Sequence, residues 1–159
     1  MNRTLLLALS GVGLGLCLLR PATADPTATI DPFTVCNEGV RGRPVADVVT
    51  ACTALIQRQN MFYVQIGWNQ RGVAYCALGQ YAMAVQDFKA NAAYWSDLVK
   101  KDQDLATTST DPTAQDNIST DKYNAESSLQ SLADATKAAA GDKTTDCAAW
   151  ADFVRKNKN

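Results

Sequence analysis

Histidine is absent from all 159 residues. That absence excludes every nucleophile–histidine scheme, serine or cysteine, and all histidine acid–base work. It also removes one of the usual zinc ligands, and no Cys-x-x-Cys pair compensates, so neither a metal site nor a cofactor is expected. A concentrated basic face is missing as well. The basic cluster at Arg155, Lys156 and Lys158 is terminal, where cations suit the dipole of a helix end, and nucleic acid is not an expected partner. Strand-like alternation is absent too, which points to an all-α fold.

One long apolar run is present, at the N-terminus. Arg3 supplies a positive start, Leu5 to Leu19 are apolar or small, and Ala22-Thr23-Ala24 forms an A-x-A cleavage site. The run is too short and glycine-rich for a membrane span, so residues 1–24 are expected to be a signal peptide. A lipoprotein signal ending at Cys17 wants a small residue before the cysteine, where Leu16 stands. Cleavage after Ala24 leaves 135 of the 159 residues, a single-domain length, in the periplasm or outside the cell. With Arg3 and Arg20 gone, 13 basic residues face 16 acidic ones, a net charge of −3.

Four cysteines remain: Cys36, Cys52, Cys76 and Cys147. In an exported chain they suggest two disulfides, with three possible connectivities.

Residues 25–43 hold Pro26, Pro32, Gly39 and Gly42 and are expected to form an extended arm, ahead of a helical domain over 44–157. The first helix is expected from Pro44, with Val45, Val48, Val49, Cys52, Leu55 and Ile56 on one face. A second runs from about Phe62 to Leu78 and stops at Gly79. A third starts near Tyr81 and continues toward Leu105. After a polar loop over 106–115 comes a fourth, about Asn117 to Ala140. Its thin face is Ile118, Ala125, Leu129, Leu132, Ala133 and Ala140, interrupted by Thr136. Thr144 or Thr145 can cap a short last helix with Cys147, Trp150, Ala151 and Val154 on one side.

Trp68, Gly72 and Tyr75, then Gly79, Tyr81, Ala84 and Phe88, stand in a register that resembles a tetratricopeptide repeat. Gly72 and Ala84 are small where two antiparallel helices cross, Gly79 makes the turn, and the aromatic residues fill the space between neighbours. Arg71 occupies the place of the usual leucine, and the closing proline is missing near Ser96. Val48 to Leu55 aligns with Tyr81 to Phe88 at an offset of 33 residues, like the second helix of a preceding repeat. The chain therefore resembles bacterial exported tetratricopeptide proteins over about Val45 to Ala93. The expected architecture is one clear repeat, half of another, and degenerate C-terminal helices packed as antiparallel hairpins.

Stacked repeats normally need about three units to bury a continuous core. Disulfides can supply the deficit. A Cys36–Cys52 bond pins the arm to the first helix, worth about 3 kcal/mol for a loop of that size. Cys76–Cys147 then ties the last helix to the repeat.

The resemblance implies a concave groove lined by Ile66, Asn69, Val73, Cys76 and Ala77. It also implies a protein or peptide partner and no catalysis. Asn69 and Gln70 are read first as solvent-exposed polar residues of a helix and second as hydrogen-bond partners of a peptide backbone, and the carboxylate clamp of some relatives is absent. An ion pair with Asp87 is the expected role of Arg71. Tyr94 and Trp95 are candidates for an exposed contact patch, and Asp102 and Asp104 read as solvated charge. Asn117-Ile-Ser119 matches a glycosylation sequon. If Cys147 bonds Cys76, the tail narrows the groove. The alternative is then a structural or inhibitory protein with a self-occluded groove.

Overall fold

A computed structural model describes residues 31–108 and 113–157, and these form six helices without a strand. The signal segment, its cleavage site, Cys17, Pro26 and Lys158 lie outside the described residues. So does the Asp111-Pro112 part of the polar loop.

The first element corrects the expectation of an extended arm. Helix α1 covers Pro32–Gly42 and buries Cys36 and Val40. Pro32 begins the helix, where a missing N–H costs nothing. Gly39, at φ +62°, kinks the helix without ending it. A Cβ at Gly39 would lie 2.7 Å from the Gln70 Oε1, so α1 approaches its neighbour closely here.

Helix α2 (Val45–Gln57) buries Val48, Ala51, Cys52 and Leu55, the face expected from their spacing. Helix α3 (Met61–Ala77) starts at Asn60, whose side chain accepts the Phe62 N–H at 2.9 Å. Gly79 ends it at φ +70°, with Gly79 N–H donating to Cys76 O and Gln80 N–H to Tyr75 O. This pair of bonds satisfies carbonyls that a helix end otherwise leaves open. Gly141 (φ +98°) closes α5 the same way, through Gly141 N–H to Ala138 O and Asp142 N–H to Lys137 O. Helix α4 (Tyr81–Ala106) continues as far as its apolar spacing suggested. Helices α5 (Thr113–Ala139) and α6 (Asp146–Lys156) follow, and Thr145 caps α6 by accepting the Ala148 N–H at 3.2 Å.

Consecutive helices pack as hairpins from α1 to α5, α1 also lies on α3, and α6 returns onto α3 with lighter contact to α5. Two cores result. The first joins Cys36, Val48, Cys52 and Leu55 to Ala74 and Ala77. The second joins Tyr75 and Cys76 to Ala84, Phe88, Ala135, Ala138 and Cys147. Val49, Val73 and Trp150 touch both, so α3 is the shared wall.

The buried face of α5 departs from the expected apolar list. Ile118 and Ala125 are buried, but Leu129 is 50% exposed and Ala133 and Ala140 face solvent. Asp121, Ser128, Ala135 and Ala138 are buried instead. The polar members are matched by polar residues of α4: Asn91 Nδ2 donates to Ser128 Oγ at 3.0 Å. A search for apolar periodicity is blind to such a face.

Candidate functional site

Both cystine pairs follow the expected connectivity, Cys36–Cys52 and Cys76–Cys147. The first clamps α1 to α2. The second spans 71 residues and holds α6 against α3. All four cysteines are buried.

Packing of α1, α2 and α6 on α3 divides the residues expected to line a groove. Ala77 is 7% exposed and belongs to the first core, against which Ile66 also packs. Asn69 is half-buried. Val73 alone of the four borders an open cleft, together with the Cys76–Cys147 cystine. The expected groove set is therefore divided: the packing brings Val73 and Cys76 to a cavity and commits Ile66 and Ala77 to the protein interior.

The residues of the repeat-like register behave as packing positions. A Cβ on Gly72 would come within 2.7 Å of the Phe88 ring, so glycine is required by a side chain seated on the crossing. Ala84 and Phe88 are buried, and Tyr75 and Tyr81 pack on the second core. Trp68 meets Tyr94 edge-on at 6.3 Å, and Tyr94 meets Trp95 at 5.2 Å. Tyr94 also donates its hydroxyl to Met61 O at 3.3 Å. These half-buried rings support one another, and the more exposed aromatic residues are Phe62 and Tyr123, at 68% and 71%.

Arg71 has the expected structural partner. It donates through Nε and Nη2 to the two Asp87 carboxylate oxygens at 2.8 and 2.7 Å, and through Nη1 to Thr53 Oγ1 at 3.0 Å. Its guanidinium carbon lies 5.8 Å from the centre of the Tyr75 ring. The bond to Asp87 raises the Arg71 pKa above its ordinary value against the opposing effect of burial. With Asp87 only 5% exposed, this charge pair is internal and offers no anion site.

Asp104 is exposed, as expected, but Asp102 is not simply solvated. It stands near Asp121 across the α4–α5 seam, and Asp121 is held above the usual carboxylate range first by burial, then by the neighbouring Asp102 carboxyl. Among the described residues, no group of acidic residues and cysteines is arranged to hold a metal.

The cleft that remains open has a volume of about 570 Å³ and lies among α3, α4, α5 and α6. Val73, Phe88, the Cys76–Cys147 cystine and Trp150 are its apolar lining. Glu126 and Asp134 from α5 and Asp146 from α6 stand along it. Gln130 donates to Asp134 Oδ1 at 3.1 Å. Trp150 is positioned from its other neighbours too, with Phe153 edge-on at 5.6 Å and the Arg41 guanidinium 5.1 Å from its ring centre. Sequence spacing places Cys147 and Trp150 on one face of α6, but the acidic residues of α5 join them only through the fold.

No family model matches this chain, and no curated protein or solved structure is significantly similar to it.

Proposed function

We propose that this chain is an exported, non-catalytic binding module of tetratricopeptide type whose concave face is filled by its own first and last helices. Its protein or peptide partner then docks at the cleft beside α6 rather than along a groove on α3. The observation that carries this reading is the Cys76–Cys147 bond. It anchors α6 over the α3 face on which Ile66 and Ala77 are already packed. Two buried disulfides support export, because such bonds persist in oxidising compartments. Among the described residues, no helix is long and apolar enough to cross a membrane. The residue register from Trp68 to Phe88 supports the tetratricopeptide assignment, and the lack of histidine removes histidine acid–base chemistry.

Panning a displayed peptide library against the oxidised mature protein tests the reading, with the footprint mapped by amide hydrogen exchange. Protection along α5 and α6 is expected, with affinity unchanged by Asn69→Ala. Loss of affinity on Asn69→Ala would restore an open α3 groove as the docking site. A reproducible turnover activity lost on changing a named carboxylate would overturn the non-catalytic role.

A further inference from the structure

The chemistry of the open cleft narrows the partner. Its lining combines apolar side chains, Val73, Phe88 and Trp150 beside the cystine, with polar ones from α5 and α6, and its volume of about 570 Å³ lies within the range of ligand sites. Three carboxylates, Glu126, Asp134 and Asp146, stand along it, and none of the residues lining it is Lys or Arg. The salt bridges among the described residues lie elsewhere, at Arg43–Glu38, Arg71–Asp87 and Arg155–Asp152. Arg41 is engaged with the Trp150 ring from α1 and does not line the cleft. The three carboxylates thus have no salt-bridge partner among the described residues.

We propose that this cleft binds an extended peptide segment of a protein partner in which lysine or arginine alternates with an apolar residue. The apolar side chain sits over Val73, Phe88 and Trp150, and the cation reaches Glu126, Asp134 and Asp146. Charge complementarity of this kind selects the partner and speeds encounter, while the apolar contact resists dissociation. The inference rests on the binding role proposed above and gives that role a ligand class.

The test uses the full mature chain with both disulfides intact, labelled with ¹⁵N. Three probes are titrated: a Lys-Leu-Lys-Leu-Lys-Leu peptide, its Glu-Leu counterpart, and spermidine. Saturable amide shifts at Val73, Glu126, Asp134 and Trp150 are expected with the lysine peptide and not with the glutamate peptide. Glu126→Gln combined with Asp134→Asn should weaken that binding about three- to tenfold at low salt, and high salt should shrink the difference. Both side chains reach the cleft from α5 without a salt bridge, and the thermal midpoint of the double variant checks that it is folded.

Equal shifts with the two peptides, or undiminished binding by the folded double variant, would overturn the charge-based assignment. Spermidine binding at the same residues as tightly as the peptide would overturn the peptide as occupant. Saturable lysine-peptide shifts confined to another face would overturn the cleft while leaving a binding role intact. No shifts with any probe, beside a library-derived peptide that does bind, would separate failure of this inference from failure of the binding role.

Discussion

Arg71 on α3 grips Asp87 on α4 through two parallel hydrogen bonds of 2.8 and 2.7 Å, and the same guanidinium reaches Thr53 on α2 at 3.0 Å. One side chain thereby ties three successive helices at a position where the resembled repeat carries a leucine. Removing one partner leaves the other charge buried. Arg71→Leu should therefore cost about 3–5 kcal/mol of stability, measured by urea unfolding. Adding Asp87→Leu should recover much of that loss, because well-packed apolar replacements of a buried ion pair are often neutral. A double variant as unstable as the single one would contradict the buried-charge account.

The two cystines should differ in their effect. Cys76–Cys147 closes a separation of 71 residues and Cys36–Cys52 one of 16. The chain-entropy relation assigns about 4 kcal/mol to the longer and about 3 kcal/mol to the shorter. Replacing Cys76 and Cys147 together by serine should lower the urea midpoint more than replacing Cys36 and Cys52. Hydrogen exchange should also rise across α6 and the α3 residues beneath it. Exchange in α1 should respond mainly to loss of the shorter bond.

Asp121 carries a pH dependence of unusual sign for a carboxylate. Its pKa is raised from 3.8 by burial and then by the neighbouring Asp102 carboxyl, so the folded chain holds that proton more tightly than the unfolded chain. Its contribution is present below the ordinary carboxylate pKa and is lost as pH rises through the raised one. Exposed Glu38 and Asp142 are lowered, chiefly by hydrogen bonds with Arg43 and Thr144, and act in the opposite sense. Asp121→Asn should raise the urea midpoint at pH 7 and bring less benefit as pH falls toward 4. A variant that loses stability equally at both pH values would show that the carboxyl proton is not the cause.

Two exposed turns differ in backbone chemistry. Gln59 sits at φ +52° after α2, and Gly79 at φ +70° after α3 has no heavy atom beyond its chain neighbours within 4 Å of where a Cβ would be. Gln59→Gly relieves left-handed strain and should raise stability by about 0.5–1 kcal/mol, net of the added freedom of the unfolded chain. Gly79→Ala should lower stability by about 1 kcal/mol through backbone strain alone, since there is room for the methyl group. Thermal midpoints of the two variants should move in opposite directions.

Helices with a strongly apolar stripe were legible from sequence. The Val48, Cys52, Leu55 face of α2 and the Gly79 stop of α3 depend on local spacing and local backbone chemistry. Helix α1 was not, because Pro32 and Gly39 act as breakers in most settings. Here the proline stands in the first turn, and the glycine is tolerated as a kink close to α3. The buried face of α5 was obscured for a different reason. Its buried Ser128 meets Asn91 of α4 and the Asn124 carbonyl of its own helix, and Asp121 is buried beside Asp102 of α4, partners that apolar spacing does not reveal.

Sequence by itself determined the helical class, the lack of histidine chemistry and the pattern of small and aromatic residues between Trp68 and Phe88, all set by residue type and short-range spacing. Tertiary structure decided which of Ile66, Asn69, Val73 and Ala77 meet an open cavity. It also brought Glu126, Asp134 and Asp146 beside Trp150. Those outcomes depend on which helices cover α3. Coverage is set by the packing of α1 and α6 and by a bond between cysteines 71 residues apart, which no local pattern encodes.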